Sequence, residues 1–99
     1  MKFNLEKAEN LLNNFFDQFI WHDSKTNPMV IILEESIVYD WGGLVIYASK
    51  NVVESKTSQV GLKPVIIDIR KNIVKPIIEW PLISVEFALQ NYMQTNGYP

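Results

Sequence analysis

The sequence predicts an α+β fold in one domain: an N-terminal helix, about four strands in a mostly antiparallel sheet, and a C-terminal helix packed on it. Three observations carry this. Apolar residues recur at three- and four-residue steps from Leu5 to Phe19 and again from Val85 to Met93. Between them, apolar residues come as short β-branched runs from Met29 to Ile78. A length of 99 residues, 47% of them apolar, allows one domain with a real core and leaves no room for two.

In the first helix, Leu5, Ala8, Leu12, Phe15 and Phe19 form the apolar stripe, widened by Leu11 and Phe16. Asn4 is suited to cap it, and Glu6 places an anion in the first turn. The polar stretch from Asp23 to Asn27 ends the helix, and Pro28 excludes Asn27 from the α region.

From Met29 the period changes. Met29–Leu33 is a continuous apolar run suited to a strand covered on both faces. Glu34-Glu35-Ser36 interrupts, and Ile37–Ala48 carries strand residues on either side of Gly42-Gly43. Paired glycines in a strand pattern predict a bulge, a bend or close approach of another backbone. The polar segment from Asn51 to Leu62 predicts a mobile loop, centred on Glu54–Gln59. Val65–Ile69 and Ile73–Ile78 then form a hairpin about Arg70-Lys71-Asn72, with Pro76 marking an edge strand. In the last helix Val85, Ala88, Leu89, Tyr92 and Met93 share a face, Ser84 is the N-cap and Asn96-Gly97 the stop. The expected arrangement has both helices on one face, with Phe15, Phe19, Ile31, Val45, Ile67, Leu89 and Tyr92 in a single core.

Composition narrows the function. The chain has no cysteine, which removes disulfides, thiolate metal sites and thiol nucleophiles. Nine basic against eleven acidic residues give a net charge of −2, unlike the basic footprint of a nucleic-acid binder. No apolar run reaches the length of a membrane span and no export signal is visible, so a cytoplasmic protein without membrane or nucleic-acid partners is expected.

Chemistry-bearing patterns are sparse. His22 is the one histidine, and beside Trp21 and Asp23 it reads as a helix-end residue facing the carbonyl dipole. Glu34-Glu35 is too thin for an oxygen-ligand metal site, and Gly42-Gly43 lacks the residues of a phosphate loop. No metal, cofactor or catalytic residue is expected. Aromatic residues beside acids stand out instead. Tyr39-Asp40-Trp41 and Glu79-Trp80 fall on connections, where they read either as closure of a core or as aromatic anchors in an acidic rim. Tyr39, Asp40, Trp41, Glu79 and Trp80 are therefore the candidate partner-binding residues.

The order of these motifs resembles the immunity protein 35 family, small bacterial proteins that protect a cell against a polymorphic toxin. A glycine/aromatic cluster leads into an apolar strand ending in Tyr and a Ser-Lys turn, here Tyr39-Asp40-Trp41-Gly42-Gly43-Leu44-Val45-Ile46-Tyr47-Ala48-Ser49-Lys50. A proline-led strand ending in aspartate follows (Pro64–Asp68), then the turn Arg70-Lys71-Asn72, the return strand Ile73–Ile78 and a helix carrying Phe87 and Tyr92. Here the family's Gly-Trp order is replaced by Trp41-Gly42-Gly43, and its turn glycine is absent, leaving Asn72 as the candidate left-handed residue. The resemblance implies that residues 1–99 form one immunity-protein-like domain acting by binding, without catalytic residues.

The leading expectation is a non-enzymatic immunity protein that binds and neutralises a cognate toxin domain, basic and nuclease-like. An alternative is a small structural or adaptor domain without a toxin partner; a third reading uses Asp40 or Asp68 as an enzymatic base. Whether the chain forms a homodimer stays open.

Overall fold

The structure is a computed structural model, and it describes residues 3–19, 25–50, 64–77 and 84–98. Trp21, His22 and the Glu54–Gln59 loop lie outside the described residues. Helix α1 (Leu5–Phe16) is capped as expected, the Asn4 side chain accepting the Lys7 N–H at 3.0 Å. Strands β1 (Met29–Ile31), β2 (Ile37–Tyr39), β3 (Gly42–Val45), β4 (Tyr47–Ser49), β5 (Val65–Asp68) and β6 (Ile73–Pro76) precede helix α2 (Val85–Thr95). Ser84 caps α2 by accepting the Phe87 N–H at 3.0 Å.

The α+β class holds, but the described residues form six strands where four were expected. The difference lies in Ile37–Ala48. Asp40 and Trp41 make a two-residue turn between β2 and β3. At Ile46 the chain leaves the four-stranded antiparallel sheet, ordered β2-β3-β5-β6, and continues as β4 to pair with β1. On the opposing strand Leu33–Glu35 coil into a 3-10 turn. Ser36 bridges the break, donating its hydroxyl to the Ile32 carbonyl at 2.8 Å and accepting the Ile46 N–H at 3.0 Å. The hydroxyl thus gives the Ile46 N–H an acceptor and adds a second donor to the Ile32 carbonyl, which also accepts the Glu35 N–H at 3.1 Å.

The glycine pair resolves as close backbone approach. Gly42 and Gly43 have φ of +141° and +156°, and a Cβ on them would lie 1.9 Å from the Ile67 carbonyl oxygen and 2.1 Å from that of Ile37. Only glycine fits between these neighbours. Asn72 takes the left-handed turn position at φ 56°, and β6 with Pro76 lies at a sheet edge, both as the sequence predicts.

The helices lie on opposite faces of the sheet, which corrects the expected one-sided packing. Val45, Val65 and Ile67 point to α1 and pack with Ala8, Leu12, Phe16 and Ile31. Their neighbours Leu44 and Ile66 point the other way and pack with Trp41, Ile77, Leu89, Tyr92 and Met93. Successive strand residues face opposite sides, so a continuous apolar strand needs a cover on each. The single expected core is therefore two: Ile31, Val45 and Ile67 belong to the first, with Phe15 packed against it, while Leu89 and Tyr92 belong to the second. Phe19 joins neither set of buried residues and is 43% exposed, beyond the end of α1.

The polar side of α1 has a structural use. Asn13 accepts the Met29 N–H at 2.7 Å and donates to the Met29 carbonyl at 3.0 Å, while Glu9 accepts the Ile31 N–H at 2.9 Å. These side chains stand where a neighbouring strand would, closing the outer edge of β1.

Candidate functional site

Helix α2 ends in a turn that carries its terminal tyrosine back onto the sheet. Gly97 adopts φ +75°; the Tyr98 N–H donates to the Met93 carbonyl at 2.8 Å and the Gly97 N–H to that of Gln94 at 3.4 Å. These two bonds and the left-handed glycine make a Schellman stop. Tyr98 is thereby laid over Trp41, ring centres 4.4 Å apart and planes within 6°. Tyr39 stacks on Trp41 as well, at 5.9 Å and 7°, and Tyr92 lies 5.7 Å from it.

Beneath this stack lies Asp68, a carboxylate with no exposed surface. Its Oδ2 accepts the hydroxyls of Tyr92 and Tyr98, each at 2.8 Å, and its Oδ1 accepts the Lys71 N–H at 3.0 Å. Three donors in place of water make burial of an acid tolerable. Burial pushes the Tyr92 hydroxyl well above the usual tyrosine range, and the bond to Asp68 and that carboxylate's charge push the same way. Tyr98 is raised too, by burial first and then by Asp68.

The surface above is aromatic and ionic. Asp40 and Arg70 pair at 2.9 Å, both about half exposed. Arg70 and Lys71 each hold their cationic group 5.8 Å from the Tyr98 ring centre. A cleft of about 180 Å³ is lined by Tyr39, Asp40, Trp41, Arg70 and Tyr98. A second, of about 300 Å³, lies between Tyr39 and Tyr98 and the α2 residues Gln90, Met93 and Gln94.

Of the five candidate residues, Tyr39 and Asp40 are brought together at this surface. Trp41 is adjacent but only 2% exposed, covered by Tyr98, so of the two placements open to it from the sequence it takes closure of the core rather than display as an anchor. Glu79 and Trp80 lie outside the described residues. The rim is also less acidic than expected, because Arg70 neutralises Asp40 and Lys71 sits close by. Tyr98, Arg70 and the Asp68–Tyr92 bond escaped the sequence reading. Their one legible signal is an aspartate closing an otherwise apolar strand, which demands hydrogen-bond donors from elsewhere in the chain.

No group of three or more His, Asp or Glu side chains that could hold a metal occurs among the described residues. No helix among them is long and apolar enough to cross a membrane. Comparison of the chain with protein-family models, curated proteins and solved structures returns no match.

Proposed function

We propose that this chain is a non-enzymatic immunity protein that binds a bacterial toxin domain and neutralises it by covering its active site or an adjoining surface. The observation that carries the reading is the half-exposed Tyr39 ring on a rigid aromatic stack, flanked by two clefts and by the Asp40–Arg70 pair. A tyrosine held by packing combines large contact area with little rotamer entropy left to lose on binding. The ion pair offers both signs of charge, so the toxin surface it suits presents a complementary pair rather than a uniformly basic face.

The enzymatic alternative fits the geometry less well. Both Asp68 oxygens are occupied by donors and sealed from solvent, and Asp40 is held by Arg70. In this reading Asp68 holds the tyrosines in place, and partner contact falls to Tyr39, Asp40, Arg70 and Tyr98.

The decisive experiment is co-expression with the product of the gene immediately upstream. The reading expects that product to arrest growth alone, growth to be restored with this protein, and a complex to co-purify. Growth arrest unrelieved by the protein, or relief without a complex, would overturn it.

A further inference from the structure

The outer edge of β2 is open among the described residues, whereas the outer edges of β6 and β1 are guarded. The outer edge of β6 carries Pro76 and Lys75, two devices that discourage strand pairing. Asn13 and Glu9 fill the edge of β1. β2 is Ile37-Val38-Tyr39, with neither a charge nor a proline, and its Ile37 and Tyr39 side chains are 38% and 39% exposed on the α2 face.

The hydrogen-bond alternation identifies the open groups. A two-residue turn requires the flanking pair, Tyr39 and Gly42, to exchange bonds; Ile37 and Leu44 do so next. Val38 therefore directs its N–H and C=O away from β3, where they meet no partner among the described residues. One outward-facing residue at the centre of a three-residue edge is self-complementary under a two-fold axis.

We propose that β2 pairs antiparallel with β2 of a second copy of this chain, centred on Val38, joining the two sheets edge to edge. In that register Val38 exchanges both backbone bonds with its own counterpart, and each Ile37 lies opposite the other copy's Tyr39 on the α2 face. The exposed apolar side chains cover one another as cross-strand pairs. In the same register Glu35 of each copy comes beside the other copy's Asp40-Trp41 turn, where Arg70 already balances Asp40, so the two backbone bonds and the apolar cross-strand pairs carry the contact. An edge this short makes a small, concentration-dependent dimer.

The test uses the purified full chain alone, so its outcome is independent of the toxin reading. Sedimentation equilibrium over a series reaching millimolar protein should show a monomer–dimer equilibrium. Hydrogen exchange at the Val38 amide should slow as protein concentration rises, since no described residue accepts that N–H in the monomer. Ile37→Lys, at an exposed site, should weaken the dimer at least tenfold. A wild-type protein that stays monomeric with concentration-independent Val38 exchange would overturn the proposal. So would a dimer indifferent to Ile37→Lys. If Ile37→Lys does not fold, wild-type exchange at Val38 decides by itself.

Discussion

The Tyr92 hydroxyl donates to Oδ2 of Asp68 at 2.8 Å, tying the C-terminal helix to a central strand through a wholly buried pair. Tyr98 donates to the same oxygen from beyond the helix end. Replacing Tyr92 by Phe removes one donor and leaves the carboxylate short of a partner. Urea denaturation should register a loss of about 1–3 kcal/mol, with Asp68→Ala costing more because two hydroxyls and the Lys71 amide lose their acceptor. A double-mutant cycle of Tyr92→Phe with Tyr98→Phe should be non-additive, since both donors serve one oxygen. Simple additivity would mean that the hydroxyls do not share Asp68.

The three positive-φ glycines among the described residues separate steric need from conformational need. Gly42→Ala and Gly43→Ala drive a methyl into backbone carbonyl oxygens of neighbouring strands, and neither protein should accumulate in folded form. Gly97 has no atom within 4 Å of the position a Cβ would take, so Gly97→Ala meets only the left-handed penalty of about 1–2 kcal/mol. Thermal unfolding should rank Gly97→Ala well above the other two. A folded, near-normal Gly43→Ala would show that β2 does not run against β3 as described.

Two cores on opposite faces make a prediction that one shared core would not. Leu12 is fully buried against the α1 face and Leu89 is buried against the other. Each Leu→Ala should cost about 2–5 kcal/mol. The double variant should lose the sum of the two, because the sites share no partners across the sheet. A coupling above about 0.5 kcal/mol would place both leucines in one cluster.

Much of this fold is legible in particular residues. Asn4 and Ser84 announce the helix starts, Asn96-Gly97 the second stop, and Pro76 the edge. The two-sided covering is also latent in Val65-Ile66-Ile67, where three successive buried residues cannot all face one helix. Periodicity over short strands says that both faces are covered without saying by what, and that left the helices on one side. The fate of Trp41 is harder to read. Its burial depends on Tyr98, brought back by a turn 56 residues later in the chain, and no local pattern encodes that meeting. A tryptophan beside an acid on a connection looks the same whether or not a tyrosine later covers it.

Alkaline pH should expose the buried hydroxyls. Burial pushes Tyr47 from about 10 up to about 12, and it raises Tyr92 as well, with Asp68 adding to the effect there. A group whose folded pKa lies above its unfolded value contributes stability that is intact below the unfolded pKa and is lost as pH rises through the folded one. The urea midpoint should therefore be insensitive to these tyrosines below about pH 10 and fall between about pH 10 and 12. Tyr47→Phe deletes one of the titrating groups and should make that fall shallower. An identical alkaline limb in Tyr47→Phe and the parent would mean that the Tyr47 hydroxyl is solvated in the folded protein.

Partner binding should divide the Tyr39–Trp41 stack by exposure. Tyr39 is half-exposed and its ring can meet a partner directly, whereas Trp41 is sealed between Tyr39 and Tyr98. Tyr39→Ala should leave the circular dichroism unchanged and weaken binding of the toxin domain by more than about 1.4 kcal/mol, tenfold in Kd. Asp40→Ala removes one half of the ion pair and leaves Arg70 unpaired at the rim, so its effect should grow as salt is lowered. Trp41→Ala removes a buried ring and should cost about 3–5 kcal/mol of stability, so its binding defect should follow the unfolded fraction. Titrations at two temperatures on either side of its unfolding midpoint separate the cases. If Trp41→Ala stays fully folded and still loses binding while Tyr39→Ala binds like the parent, then Tyr98 yields its place over Trp41 to the partner. The interface would then be the buried tryptophan rather than the exposed tyrosine.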